Sequence, residues 1–281
     1  MKIYFSIIFI FLLNFSSDLN AQYYENNLIT NVPLFVAKSE MNKFIRTKDA
    51  EILASNKVKE VRLKNEESKP IGKLVVNASG YIEDYFSYNE ATEIIEVHWR
   101  FGYDVNNNMT SANLRAGRQR INYILTYENN LLASIHCDSA GIESRYDFAY
   151  VDGKIFKMTL LDVTNDTVKE KYYFDYDSEA RLTSVKEESS AEKMIDIAYR
   201  KNKIVFTARN SPAETITLIG ERILDETYKY HYDSNPKSAV YRVYYTSNNY
   251  TFLENGLIEK LELTDATEKK IFTQYYEYTF N

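Results

Sequence analysis

Apolar and polar residues alternate with a period of two along most of the chain from residue 71 onward. In the segment Tyr172–Tyr176 this alternation puts Tyr172, Phe174 and Tyr176 on one face of an extended strand and leaves the other face polar. Similar aromatic strands end at the following residues: Tyr103, Tyr127, Tyr150, Tyr176, Tyr199, Tyr232 and Phe280. The copies from Tyr103 to Tyr199 are 23 to 26 residues apart. This period leaves room for two strands and two turns and indicates a repeated β-hairpin.

Short polar segments separate the strands and have the composition of tight turns. Strand Leu74–Val76 is followed by the turn Asn77–Gly80 and a returning strand, Tyr81–Phe86. Gly80 supplies a positive φ that other residues resist. Between Phe206 and Phe252 the spacing becomes irregular, and the strands cannot be counted there. The predicted fold is all-β: an extended antiparallel β-meander of repeated hairpins, as a twisted sheet or an open, barrel-like sheet, with one short N-terminal helix.

Residues 22–70 have a different pattern and are interpreted as an N-terminal arm that precedes the hairpin repeat domain, 71–281. The apolar stretch Leu28–Val36 contains Pro33, which favours an edge strand or an extended arm. Lys48–Asn56 has helix-forming residues and ends in Asn, which predicts the one short helix. Lys57–Leu63 alternates imperfectly and is predicted to be a strand.

The first 21 residues have the order of regions found in a secretory signal peptide. Lys2 precedes the apolar run Ile3–Leu13, and small and polar residues lead to a predicted cleavage site after Ala21. An uncleaved N-terminal anchor is the alternative. The interpretation predicts an exported protein that is periplasmic, outer-membrane-associated or extracellular.

Composition narrows the range of partners. The chain has 25 Tyr and 15 Phe against 8 Gly and 4 Pro, which favours pleated, half-buried surfaces. The net charge is −6, and nucleic-acid binding is not expected because phosphates require a basic surface. The expected partner is an envelope protein or a glycan, and membrane association is left open.

Four Tyr-Asp dipeptides close aromatic strands, at Tyr103, Tyr146, Tyr176 and Tyr232. They resemble the YD repeats of Rhs-type proteins, and the segment Tyr176–Val185 is the closest match. The glycine usual in that turn is replaced here by Glu179-Ala180. The chain is similar to short exported YD-repeat-like proteins of Bacteroidetes over roughly residues 74–281. The resemblance implies a β-meander and no particular activity.

The sequence nominates no catalytic, cofactor-binding or metal-ligating residue. Cys137 is the only cysteine and lies in a strand-like run, so we interpret it as a small apolar core residue, with a reactive nucleophile as the alternative. His136 is adjacent to Cys137 and therefore points to the opposite face of the strand. His98 and His231 lie at polar-face positions of aromatic strands, and no metal-ligand spacing joins the three histidines.

Three functional hypotheses follow. The first is an exported, non-enzymatic β-repeat protein that acts as a binding or scaffold module at the cell envelope. The second is an outer-membrane β-barrel, since short alternating strands and terminal aromatic residues are typical of that class. The third is a glycan-acting enzyme, because 40 Asp and Glu residues leave a catalytic carboxylate pair open. The tyrosine-rich face is predicted to be core, with an exposed binding platform as the alternative.

Overall fold

The computed structural model describes residues 31–41, 43–190, 192–209, 213–219, 222–231, 243–265 and 267–281. The predicted signal peptide lies outside these residues. The described residues form two helices and 18 strands. Their bounds are α1 Val32–Met41, α2 Lys43–Ser55, β1 Val58–Lys64, β2 Pro70–Val76, β3 Ile82–Tyr88, β4 Ile95–Tyr103, β5 Met109–Ala116, β6 Gln119–Glu128, β7 Leu131–Ser139, β8 Ile142–Val151, β9 Lys154–Asp162, β10 Thr167–Tyr176, β11 Leu182–Glu187, β12 Lys193–Arg200, β13 Lys203–Ala208, β14 Ala213–Ile219, β15 Arg222–His231, β16 Val243–Phe252, β17 Ile258–Asp265 and β18 Lys270–Phe280.

The strands form one closed antiparallel barrel. Each strand pairs with the next one in the sequence, and β1 also pairs with β18. The closing ladder brings Val61 opposite Tyr278 and Leu63 opposite Tyr276. The predicted all-β meander of hairpins is therefore confirmed, and its arrangement is a closed barrel. β1, which falls in the segment 22–70, is part of the barrel wall through its pairing with β2 and β18.

The irregular region between Phe206 and Phe252 contains the same next-neighbour pairing. Phe206 lies in β13, and β14, β15 and β16 follow it in order, each antiparallel to the one before.

The period-two pattern separates a buried inner face from a polar outer face. Tyr172 and Phe174 are buried in the core, and Tyr176 is half-buried and packs against it. The prediction that the tyrosine-rich face is core is confirmed at these positions. The inward residues of strands throughout the described barrel join this same apolar cluster. Burial of these apolar side chains is the main contribution that holds the barrel together.

The outer face carries ion pairs, many of them between neighbouring strands. On β10 and the segment that follows β11, Lys171 Nζ lies 3.0 Å from Glu188 Oε2. Lys186 Nζ lies 2.7 Å from Asp175 Oδ2 across the β10–β11 pair. Such exposed pairs each contribute little to stability. Their importance is that they make the outer surface of the wall strongly polar.

The edge strand or extended arm predicted for Leu28–Val36 is wrong where the structure describes it, because residues from Val32 onward form helix α1. The side chain of Asn31 caps the helix, with its Oδ1 accepting a hydrogen bond from the Leu34 N–H at 3.1 Å. Pro33 therefore lies in the first helical turn, where a missing N–H costs nothing. The described residues therefore contain two helices, where the sequence predicted one.

Helix α1 packs inside the barrel. Its side chains Val32, Phe35, Val36 and Met41 are buried in the core with the inner faces of the strands, and the helix contacts β11. Helix α2 confirms the helix predicted within Lys48–Asn56 and begins earlier, at Lys43. In the described part of the chain, neither helix is long and apolar enough to cross a membrane.

Candidate functional site

One end of the barrel, here called the tyrosine end, is defined by the tyrosines that finish every second strand from β4 to β12. These are Tyr103, Tyr127, Tyr150, Tyr176 and Tyr199. The Tyr127 hydroxyl donates a hydrogen bond of 3.0 Å to the carbonyl of Met109. The Tyr103 hydroxyl donates one of 2.8 Å to the carbonyl of Ile82. In each case the acceptor lies at the start of the preceding strand, so the hydroxyl ties two neighbouring strands together at their ends.

Several turns of the barrel share one five-residue geometry. In the turn Asp177–Arg181, Asp177 Oδ1 accepts hydrogen bonds of 2.9 Å from the N–H groups of Glu179 and Arg181. The fourth residue, Ala180, has a φ of +64°. Turns with the same side-chain acceptor pattern begin at Asn65, Asn77, Asp104 and Asp265. At Asp104 and Asp177 the acidic residue of the YD-like dipeptide is thus the acceptor that closes the turn. The prediction that the dipeptide at Tyr146 closes a strand is wrong, because Tyr146 and Asp147 lie within β8.

Helix α2 covers part of the tyrosine end. A Cβ added to Gly80 would lie 1.9 Å from the Ala50 carbonyl oxygen, so the turn after β2 contacts the helix backbone directly. The Asn56 Nδ2 donates to the carbonyls of Ile52 at 2.9 Å and Asn255 at 3.2 Å, which joins the helix end to the turn after β16. These contacts explain why α2 lies over this part of the rim.

A cleft of about 280 Å³ lies at the tyrosine end, between helix α1 and strands β5 to β9. Its lining includes polar groups from the helix and aromatic and amide groups from the rim: Ser39, Glu40, Tyr81, Asn108, Tyr127 and Tyr150. Tyrosine rings offer apolar faces, while hydroxyl, amide and carboxylate groups offer hydrogen bonds. This mixture suits a ligand that has both hydroxyl groups and apolar faces.

Burial and the Glu40 carboxylate both act on the rim tyrosines. Burial raises the pKa of Tyr199 to about 12, and Glu40 adds to the rise. The same two causes raise the pKa of Tyr150. These phenols are therefore neutral hydrogen-bonding groups at physiological pH. Glu40 is exposed near the end of α1 and lines the cleft.

A second polar cluster lies inside the barrel, directly next to α1. Lys38 Nζ is 2.9 Å from Glu214 Oε2, and the Tyr228 hydroxyl donates to Glu214 Oε1 at 3.3 Å. The Tyr250 hydroxyl donates to Glu226 Oε2 at 2.9 Å. Glu214 and Glu226 are both buried, on the neighbouring strands β14 and β15. We call these five residues the buried acid cluster.

The two carboxylates of the buried acid cluster share one nearby ammonium group. Burial, followed by the Glu214 carboxylate, raises the pKa of Glu226 to about 7, while Lys38 and the Tyr250 hydroxyl act in the opposite direction. An isolated charge is costly to bury, so a proton on Glu226 relieves the excess negative charge. The cluster therefore changes charge close to neutral pH.

The residues considered from sequence occupy separate parts of the wall. Cys137 is half-buried on the inner side, where burial raises the pKa of its thiol, and so favours the neutral form. His136 lies on the other face, with Nε2 3.8 Å from Glu143 Oε2. His98 stacks on Phe86 and its Nε2 is 2.6 Å from Asp84 Oδ1. The side chain of His231 lies outside the described residues. Cys137 and the two described histidines therefore form no common site.

Lys38, Glu214 and Glu226 were not among the candidate residues predicted from the sequence. Glu226 could have been found, because it shares the alternating register of Tyr228 and so falls on the predicted inner face. Lys38 could not, since its position depends on α1, whose first half, up to Val36, was predicted as an extended segment. In the residues that the structure describes, no group of three or more His, Cys, Asp or Glu side chains is arranged to hold a metal ion.

No protein-family model matches the chain, and no curated protein matches it. Among solved structures, a porin-like protein from Bacteroides uniformis is 12% identical with a TM-score of 0.37, covering 79% of this chain and 98% of that one. A porin-like protein from Bacteroides vulgatus is 11% identical with a TM-score of 0.32 and the same coverage. The Tc holotoxin pore of Photorhabdus luminescens is 14% identical with a TM-score of 0.31, covering 71% of this chain and 9% of that one. At these scores the comparisons assign neither a family nor a function.

Proposed function

We propose that the protein is an exported β-repeat barrel that acts as a binding module at the cell envelope, with the cleft at the tyrosine end as its binding site. The ligand class is a soluble segment of an envelope glycan. The observation that carries the proposal is the lining of the cleft, where tyrosine rings lie beside amide, hydroxyl and carboxylate groups. Sugars present apolar faces and hydroxyl groups, so both kinds of lining group have a partner.

The polarity of the outer wall supports a barrel that faces water. Arg145 Nε lies 2.9 Å from Asp147 Oδ1, and Lys260 Nζ lies 2.9 Å from Glu262 Oε1, both on the outer side. A charged outer surface is costly against lipid, where the outward residues of a membrane barrel form an apolar band. The apolar inner face of this barrel is instead filled by its own core and by α1.

The test is binding of the purified protein to a panel of soluble oligosaccharides prepared from cell-envelope polymers. Leu131 lines the cleft at an exposed position, and Leu131→Arg inserts a long charged side chain there. We expect this variant to weaken binding by about tenfold or more. Ile142→Arg is the matched control, since Ile142 is an exposed apolar residue outside the cleft lining. Equal binding by both variants and the unchanged protein would overturn the cleft as the binding site.

An outer-membrane barrel is the second candidate. It is favoured by the closure of an even number of antiparallel strands, which is the form that such proteins take. Washing membranes with alkaline carbonate separates the two candidates. Release into the supernatant supports the water-facing barrel, whereas retention together with heat-modifiable gel mobility supports the membrane barrel.

The glycan-acting enzyme is tested with the same oligosaccharide panel. Incubation of each bound oligosaccharide with the protein, followed by mass spectrometry, measures turnover. Unchanged masses support a binding module. Cleavage products that form with the unchanged protein but not with Leu131→Arg would show that the protein is an enzyme acting at this cleft and would overturn the binding module.

A further inference from the structure

The buried acid cluster and the cleft are joined through consecutive residues of helix α1. Lys38 contacts Glu214 inside the barrel, while the next two residues, Ser39 and Glu40, line the cleft. A change in how Lys38 is held is therefore transmitted to the cleft lining within one helical turn. No loop or hinge separates the two sites.

The groups around the Glu226 carboxylate come from four elements besides its own strand. Lys38 faces it from α1, Glu214 from β14 and Tyr250 from β16, and Tyr276 of β18 lies close enough to Tyr250 to affect it electrostatically. Tyr228 belongs to the same strand. Among these described groups Lys38 is the only cation. One ammonium group neutralises one carboxylate, so the state in which both Glu214 and Glu226 are ionised leaves a buried excess charge.

We propose that the buried acid cluster is a pH-sensitive anchor for helix α1, and that ionisation of Glu226 loosens α1 and so weakens ligand binding at the cleft. With Glu226 protonated, the Lys38–Glu214 pair is balanced and α1 is held in the barrel. With Glu226 ionised, the excess charge favours opening of the helix, which lets water reach the carboxylates. The Lys38 side chain is already 29% exposed before the helix opens, so water reaches its ammonium group in the closed state. The effect on the ligand rests on the proposed function of the cleft, but the effect on α1 does not.

The raised pKa of Glu226 supports the direction of the effect. A carboxyl group that binds its proton more tightly in the closed state stabilises that state at low pH, and this stabilisation is lost as the pH rises through the raised value. If the opening of α1 releases one proton, the equilibrium constant for opening rises about tenfold per pH unit between the ordinary glutamate pKa and the raised one, and the protection of the α1 amides falls by the same factor.

Hydrogen exchange of the full chain, corrected for intrinsic rates, tests the anchor. We expect the α1 amides to lose about tenfold in protection per pH unit between pH 5 and 7, while amides in strand β2, which contributes no residue to the cleft lining or to the buried acid cluster, lose none. Glu226→Gln is expected to abolish this dependence. Glu214→Gln leaves one carboxylate for Lys38, so the loss of protection is expected to be smaller and to end at lower pH. Glu262→Gln is the control for removing a charge from the outer face, and it is expected to behave like the unchanged protein.

Three results would overturn the anchor: a pH-independent protection of α1, an equal loss of protection in β2, or an unchanged dependence in Glu226→Gln. Binding of the oligosaccharide that performs best in the panel is then measured at pH 5 and pH 8. Weaker binding at pH 8, restored in Glu226→Gln, supports the regulation of the cleft. Binding that is independent of pH while α1 loosens would overturn the regulation alone. If no oligosaccharide binds, the proposed function fails, and the exchange of α1 still decides the anchor.

Discussion

The hydroxyl of Tyr150, at the end of β8, donates a hydrogen bond of 2.8 Å to the carbonyl of Leu132, at the start of β7. The same relationship recurs at Tyr278 and Ile258, next to the seam where β18 meets β1, also at 2.8 Å. Tyr103, Tyr127, Tyr150 and Tyr278 are thus structural ties between strand ends, and their rings pack against the core. This accounts for tyrosine in preference to phenylalanine at these positions.

Removal of one such hydroxyl is expected to destabilise the barrel. Tyr150→Phe keeps the ring in the core and leaves the Leu132 carbonyl without its donor, so we expect the free energy of unfolding to fall by about 1 kcal/mol. Urea denaturation measures the change. Tyr275→Phe is the matched control, because Tyr275 is 44% exposed on the outer face, and its substitution is expected to change stability by less than about 0.5 kcal/mol. Equal effects of the two substitutions would contradict the role of the tie.

Much of this fold could be predicted from local sequence. The hairpins follow from period-two alternation and from turn residues, and both signals lie within a few residues of the structure they specify. The closure of the barrel could not be predicted, because it depends on pairing between β1 and β18, which are about two hundred residues apart. Helix α1 was missed because Pro33 is compatible with either an extended segment or a first helical turn, and the Asn31 cap decides between them.

The turn after β10 offers a stabilising substitution. Ala180 has a φ of +64°, in the position where the YD-like turn usually has glycine. An L-residue in the left-handed region costs roughly 1 to 2 kcal/mol, and glycine adopts it freely. Ala180→Gly is therefore expected to increase the free energy of unfolding by up to about 1 kcal/mol, as measured in urea. The control is Ala198→Gly in the extended strand β12, which is expected to lower stability by roughly 0.5 to 1 kcal/mol. A loss of stability in Ala180→Gly would show that the turn does not carry this strain.

The contact between Gly80 and helix α2 is tested with two glycines of similar conformation. Gly80 and Gly141 have φ values of +85° and +82°, so alanine is strained at both. Only at Gly80 would the added Cβ meet the Ala50 carbonyl, whereas nothing lies within 4 Å of it at Gly141. We expect Gly141→Ala to cost roughly 1 to 2 kcal/mol and Gly80→Ala to cost clearly more, with faster hydrogen exchange in α2. Equal costs and unchanged exchange would mean that α2 does not rest on this turn.

The candidate site was less predictable than the fold. The cleft combines residues of α1 with residues of β5 to β9, and the buried acid cluster combines α1 with β14 to β16. Period-two alternation predicts which side chains face inward, but not which inward side chains of distant strands meet. The inward position of Glu226 could be predicted, because Glu226 has the same period-two register as Tyr228 and Tyr230. The position of Lys38, which pairs with Glu214, depends on helix α1 and could not be predicted without it.

The buried acid cluster also predicts how global stability depends on pH. Because burial and Glu214 raise the pKa of Glu226, its contribution is fully present below the ordinary glutamate pKa and is lost as the pH rises to about 7. We expect the free energy of unfolding to fall by a few kcal/mol between pH 5 and 8, and Glu226→Gln to remove most of that fall. The contribution of Asp162 to stability depends on pH in the opposite direction. Hydrogen bonding to Lys169 lowers the pKa of Asp162 to about 2, so this contribution is lost only in strong acid. Asp162→Asn is therefore the control that should leave the pH 5 to 8 slope unchanged. A slope that persists in Glu226→Gln would assign the pH dependence to other groups.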